Sequence, residues 1–126
     1  MKVLTLKQLW ATLVAEGIKE YEFRSWKTNY RGKLLIHAGA GVDKEEMKRF
    51  QNLDLDFQLK KILAEVDLED CLELNDELNK KIVAEQNIAY GSKYRTGYAW
   101  KLTNVKKITI DREIKGQLGL WNIDIK

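Results

Sequence analysis

The chain is poor in the residues from which small scaffolds and common catalytic sites are built. Its single cysteine, Cys71, excludes an internal disulfide, and one histidine, His37, leaves no cysteine and histidine set for structural zinc. The only serines are Ser25 and Ser92, neither in a nucleophile motif, which argues against a serine-type triad. No phosphate-cradling glycine loop is present, and no apolar run approaches a membrane span. The apolar N-terminus is broken by Lys7 and Gln8 and lacks a small-residue cleavage site, so a secretory leader is not expected. These absences predict a soluble, cytoplasmic protein with no metal, no cofactor and no membrane partner.

What remains is enough for one domain, residues 1–126, with a real core. The net charge of +3 is modest but unevenly spread. Residues 1–36 hold 7 Lys/Arg against 3 Asp/Glu, residues 37–86 hold 7 against 13, and residues 87–126 hold 8 against 3. If the basic ends are neighbours in the fold, they form a positive face opposite an acidic one, suited to a polyanion.

Hydrophobic spacing sketches the elements. Thr5 and Gln8 make a capping-box pattern before Leu6, Leu9, Trp10, Leu13 and Val14, which predicts a helix ending at Gly17 with Trp10 in the core. Leu34, Leu35 and Ile36 predict a buried strand, and the glycines of 38–42 a loop. Asp43 with Glu46 opens a short helix that turns Met47 and Phe50 inward, and Asp54 and Asp56 lie in a solvated loop. Ile62, Ala64, Val66 and Leu68 alternate with Leu63, Glu65, Asp67 and Glu69, a half-buried strand with an acidic outer face. Cys71 reads as a small apolar packing residue. Asn75 caps a helix to about Gln86, and 87–97 reads as a loop. Strands follow around Trp100 and over 118–125, where Trp121 shares a face with Ile123 and Ile125.

The most chemically loaded stretch is 17–37, GIKEYEFRSWKTNYRGKLLIH. In a strand of period two, Glu20, Glu22, Arg24 and Trp26 share a face opposite Tyr21, Phe23 and Ser25, and a turn after Gly17 brings Lys19 toward Glu22 and Arg24. A plain edge strand guarded by charges would look the same, with Lys19 and Glu22 a surface ion pair worth about 0–1 kcal/mol. Lys27 and Arg31 are candidate phosphate contacts, and Trp26 and Tyr30 candidate stacking platforms. Lys93, Tyr94 and Arg95 repeat the alternation of cation and ring, a pattern suited to a nucleic-acid strand. His37, with no evident partner, reads as structural.

The pattern Gly17-x-Lys19-x-x-Glu22-x-Arg24-x-Trp26, followed by Tyr30-Arg31-Gly32, resembles the signature of the ASCH (activating signal cointegrator homology) family. Gly97-Tyr98-Ala99-Trp100 leading into Leu102-Thr103-Asn104-Val105 is similar to the family's late strand. Lys115-Gly116-Gln117 through Gly119-Leu120-Trp121 is similar to its closing one. The resemblance implies an α+β, PUA-like mixed β-barrel of about six strands with peripheral helices. It also implies a cleft around Lys19, Glu22 and Arg24 that takes RNA, single-stranded nucleic acid, or a nucleotide or nucleoside. Some relatives are amidohydrolases that deacylate acetylated cytidine with a Lys, a Thr nucleophile and a Glu; others are described as ribonucleases. Lys19 matches the lysine, but Glu22 stands where the threonine belongs, and a carboxylate does not form that acyl intermediate. The catalytic alternative for this chain is therefore a water activated by Glu22 while Lys19 polarises a carbonyl.

Overall fold

The computed structural model describes residues 1–51, 54–90 and 94–124. In chain order the elements are β1 (Lys2–Gln8), α1 (Trp10–Ala15), β2 (Tyr21–Arg24), β3 (Gly32–Val42), α2 (Lys44–Met47) with a 3-10 turn (Lys48–Phe50), β4 (Lys61–Glu73), α3 (Asp76–Tyr90), β5 (Tyr98–Lys107) and β6 (Leu120–Asn122). The six strands form one mixed sheet in the order β2-β5-β4-β3-β1-β6, with β1 parallel to β3 and every other pair antiparallel. The α+β class with helices outside a curled sheet is the expected one. The ladder is not closed, because β2 and β6 are its edges. None of the helices is long and apolar enough to cross a membrane among the described residues.

The sheet is apolar on both faces. Leu4, Leu6, Leu34, Ile36, Val66, Leu68 and Trp100 fill the main core, while Val3, Leu35, Ile62, Ile114 and Trp121 pack elsewhere as a second cluster. This explains the first departure from expectation. Thr5 and Gln8 do not cap a helix; they belong to β1, where Thr5 pairs with His37. A strand buried on both faces is a continuous apolar run that spacing alone does not separate from a helix. Gln8 still serves the shortened helix, since its Oε1 accepts from Thr12 N at 3.1 Å. Gly17, at φ +76°, ends that helix as predicted, and Lys19 N returns to Leu13 O at 3.0 Å.

Two loops contract in favour of neighbouring elements. The stretch 38–42 continues β3 beside β1, and its glycine is needed there because a Cβ on Gly39 would lie 2.9 Å from the Thr5 methyl. Helix α3 runs to Tyr90 rather than stopping near Gln86, as no breaker intervenes before Gly91. The closing strand is shorter than 118–125, only Leu120–Asn122, and Ile125 lies outside the described residues. The caps at Asp43, accepting from Glu46 N at 3.2 Å, and at Asn75, accepting from Leu78 N at 2.8 Å, are as expected. So are the inward face of β4 and the burial of Cys71 and Trp100.

Along β4 the acidic side chains do not form a separate face. The acidic side of β4 lies between β3 and β5, so Asp67 meets Lys33 at 3.2 Å, Glu69 meets Lys101 at 3.8 Å, and Asp70 meets Arg31 at 3.4 Å. The acidic outer face of β4 is thus interleaved with cations from both basic ends.

Candidate functional site

β2 leaves α1 through the Gly17 turn and pairs with β5, Glu22 opposite Trp100 and Arg24 opposite Tyr98. That places Lys19, Glu22 and Arg24 together, but inside the protein rather than on an open face. Lys19 is 3% exposed and Glu22 7%. The Lys19 ammonium donates to Glu22 Oε1 at 2.8 Å and to Tyr21 O, and lies 5.3 Å from the Trp10 ring centre and 4.9 Å from that of Phe23. The other carboxylate oxygen, Glu22 Oε2, receives Arg24 Nη2 at 3.0 Å. This is a desolvated ion triad, not the weak surface pair that spacing allowed.

Burial pushes the Lys19 ammonium below its ordinary pKa against the pull of Glu22. For Glu22, burial opposes ionisation, but the charges and hydrogen bonds of Lys19 and Arg24 outweigh it and hold the carboxyl below its usual range. Arg24 Nη2 also donates to Thr5 O at 2.9 Å, while Arg24 Nε is buried without a hydrogen-bond partner among the described residues.

Thr5 connects this triad to a second network. Trp121 Nε1 donates to Thr5 Oγ1 at 3.0 Å, and Thr5 Oγ1 is 3.1 Å from His37 Nδ1. His37 Nε2 donates to Ile114 O at 2.6 Å, because a carbonyl only accepts. With that proton on Nε2, neutral His37 accepts the Thr5 hydroxyl at Nδ1. Burial lowers the His37 pKa in agreement, with the Ile114 bond acting the other way. His37 is therefore structural, as its isolation in the sequence suggested.

Beside these networks opens a cleft of about 740 Å³, within the roughly 300–1,000 Å³ usual for ligand sites. Glu22, Arg24 and Trp26 line one side, the 39–41 end of β3 another, and 115–118 a third, with Thr5, Lys7 and Trp10 between. Lys7 and Lys115 are exposed, so its lining carries three cations, Lys7, Arg24 and Lys115, against the one carboxylate of Glu22. Trp26 is half-buried there, packed edge-on against Trp100 at 4.7 Å. Among the described residues no three His, Cys, Asp or Glu side chains converge as metal ligands.

The remaining predicted residues divide. Lys19 lines a separate cavity of about 200 Å³ with Trp10, Glu22, Phe23 and Arg95, and Tyr94 and Arg95 line one of about 370 Å³. Lys27, Tyr30 and Arg31 line none of these three cavities. Lys27 is exposed; the Tyr30 hydroxyl bonds Lys33 O, and Arg31 Nη1 bonds Thr28 O and Tyr30 O, so both rigidify the 25–31 turn. Lys93 lies outside the described residues. Sequence reasoning missed Thr5, Lys7, Trp10 and 39–41 as lining. Only the closing motif Lys115-Gly116-Gln117 carried a signal for that wall.

The ASCH domain family model matches residues 4–111. The chain belongs to the ASCH family. It is similar to activating signal cointegrator 1 of Mus musculus, 30% identical over 129 residues, and to that of Homo sapiens, 29% identical over 134 residues. Each comparison covers 98% of this chain but only 22% of the relative, so the chain spans about a fifth of the length of these proteins. Among solved structures, an ASCH protein from Zymomonas mobilis superposes with a TM-score of 0.55 at 15% identity, covering 90% of this chain and 72% of that one. A point variant of it gives 0.56 at 16% identity, covering 90% and 74%. At that identity the likeness is one of ASCH fold alone.

Proposed function

We propose that this ASCH domain binds single-stranded RNA, holding an unpaired nucleotide in the cleft lined by Arg24 and Trp26. The observation that carries the reading is the combination of three lining cations with the two indoles of Trp10 and Trp26 around a single concavity. Cations hold phosphates, and a ring accepts a base face. Family membership supports the same ligand class.

In this reading Glu22 sets the position of Arg24 rather than reacting, since both its oxygens already bind cations. We rank binding above hydrolysis because the Lys19 ammonium is directed at Tyr21 O and Glu22 and lines the small cavity rather than the main cleft. Ultraviolet cross-linking of short single-stranded RNA, with the linked peptides mapped, tests the site. Links within 5–10, 22–26, 39–41 or 115–118 support it; links confined to other segments refute it.

A further inference from the structure

We infer that the site takes two consecutive unpaired nucleotides, one in the main cleft and its neighbour in the cavity beside Tyr94, with the connecting phosphate over the end of β2. This rests on the proposed function and extends it from one nucleotide to a strand. The two concavities, about 740 and 370 Å³, share one wall, Phe23, Arg24 and Ser25. Three consecutive residues span at most about 7 Å from first to last, a distance that one extended sugar–phosphate link crosses.

The wall has the charge such a crossing requires. Arg24 faces both concavities, and its guanidinium is fixed by Glu22 and the Thr5 carbonyl, so little freedom is lost on binding. Arg95 adds a second cation, its guanidinium 4.6 Å from the Phe23 ring centre. The smaller concavity also has its own ring. Tyr94 is 44% exposed, and the residues that follow it are held in place. Asn79 of α3 accepts from Arg95 N at 2.8 Å and donates to Arg95 O at 2.9 Å, and Gly97 O accepts from Leu74 N at 2.9 Å. An exposed aromatic next to an anchored residue offers a stacking surface at a small ordering cost.

The test is a titration of wild type, Tyr94→Ala and Lys115→Ala with a nucleoside monophosphate, a dinucleotide and a trinucleotide of RNA. The expected result is a gain of roughly tenfold in wild-type affinity from one nucleotide to two, with little gain from two to three. Tyr94→Ala should remove most of that gain while leaving monophosphate binding unchanged, whereas Lys115→Ala weakens all three ligands. Equal affinities for one and two nucleotides, with Lys115→Ala still weakening both, would overturn the second subsite alone. Loss of all RNA binding in wild type would overturn the reading beneath it.

Discussion

Arg24, on the edge strand β2, donates from Nη2 to the main-chain carbonyl of Thr5 on β1 at 2.9 Å. Four strand spacings separate β2 from β1 in the ladder, about 19 Å if the sheet were flat. A hydrogen bond between them requires the sheet to curl back on itself, and the same guanidinium that bridges the gap lines the cleft there. Fold closure and candidate site therefore share one side chain.

Arg24→Gln should destabilise the domain by about 2 kcal/mol. The substitution removes the bridge to Thr5 and one of the two cations on a buried carboxylate. Urea unfolding measures it; a change under about 0.5 kcal/mol would show that closure does not depend on the bridge.

Lys19→Met should cost about 3 kcal/mol, because it leaves Glu22 buried with Arg24 as its remaining partner in the triad. The paired change Lys19→Met with Glu22→Leu should cost less than the sum of the single changes, since it removes the stranded charge with its partner. A double-mutant cycle reads the coupling, and strict additivity would mean that the ion pair is energetically silent.

Gly116→Ala should destabilise by about 1–3 kcal/mol through crowding, as its new Cβ would lie 2.8 Å from the Thr5 methyl and 3.2 Å from His37 Cε1. The indole of Trp121, held by Thr5, should report the same disturbance as a change in near-ultraviolet circular dichroism. An unaltered spectrum and stability would contradict the packing described.

Stability should fall in two steps on acidification. The folded-state pKa of His37 lies below its ordinary 6.5, so between that value and the lowered one the unfolded chain binds more protons and stability is lost as pH falls. Glu22 has the same sign lower down, its stabilisation being lost below the ordinary 4.5 as pH falls through the depressed folded value. Melting temperatures across pH should show both losses in wild type and only the lower one in His37→Gln; identical profiles would rule out His37 as the upper group.

The parts of this arrangement legible in the sequence were those decided locally. The Asn75 cap, the alternation along β4 and the helix stop at Gly17 each follow from a few adjacent residues. The 17–26 motif grouped Lys19, Glu22 and Arg24, which the structure brings together, but did not show that Lys19 and Glu22 are buried, because their burial depends on Trp10 and on closure of a sheet whose edges are far apart in the ladder. Thr5 was misread for a related reason: its role is set by His37, Gly116 and Trp121, partners 32 to 116 residues away, while its local pattern imitated a helix start. The charge of the middle segment was likewise a local fact with a distant answer, the cations of β3 and β5.

The most direct measurement of the central claim is the affinity for a short single-stranded RNA as a function of salt, in wild type and in Lys7→Ala/Lys115→Ala, whose replaced side chains are exposed. With Lys7, Arg24 and Lys115 at phosphates, the logarithm of the association constant should fall with that of salt with a slope of about −2, and of about −0.7 in the double variant. A slope near zero in wild type, or one left unchanged by removing both lysines, would contradict RNA binding in this cleft.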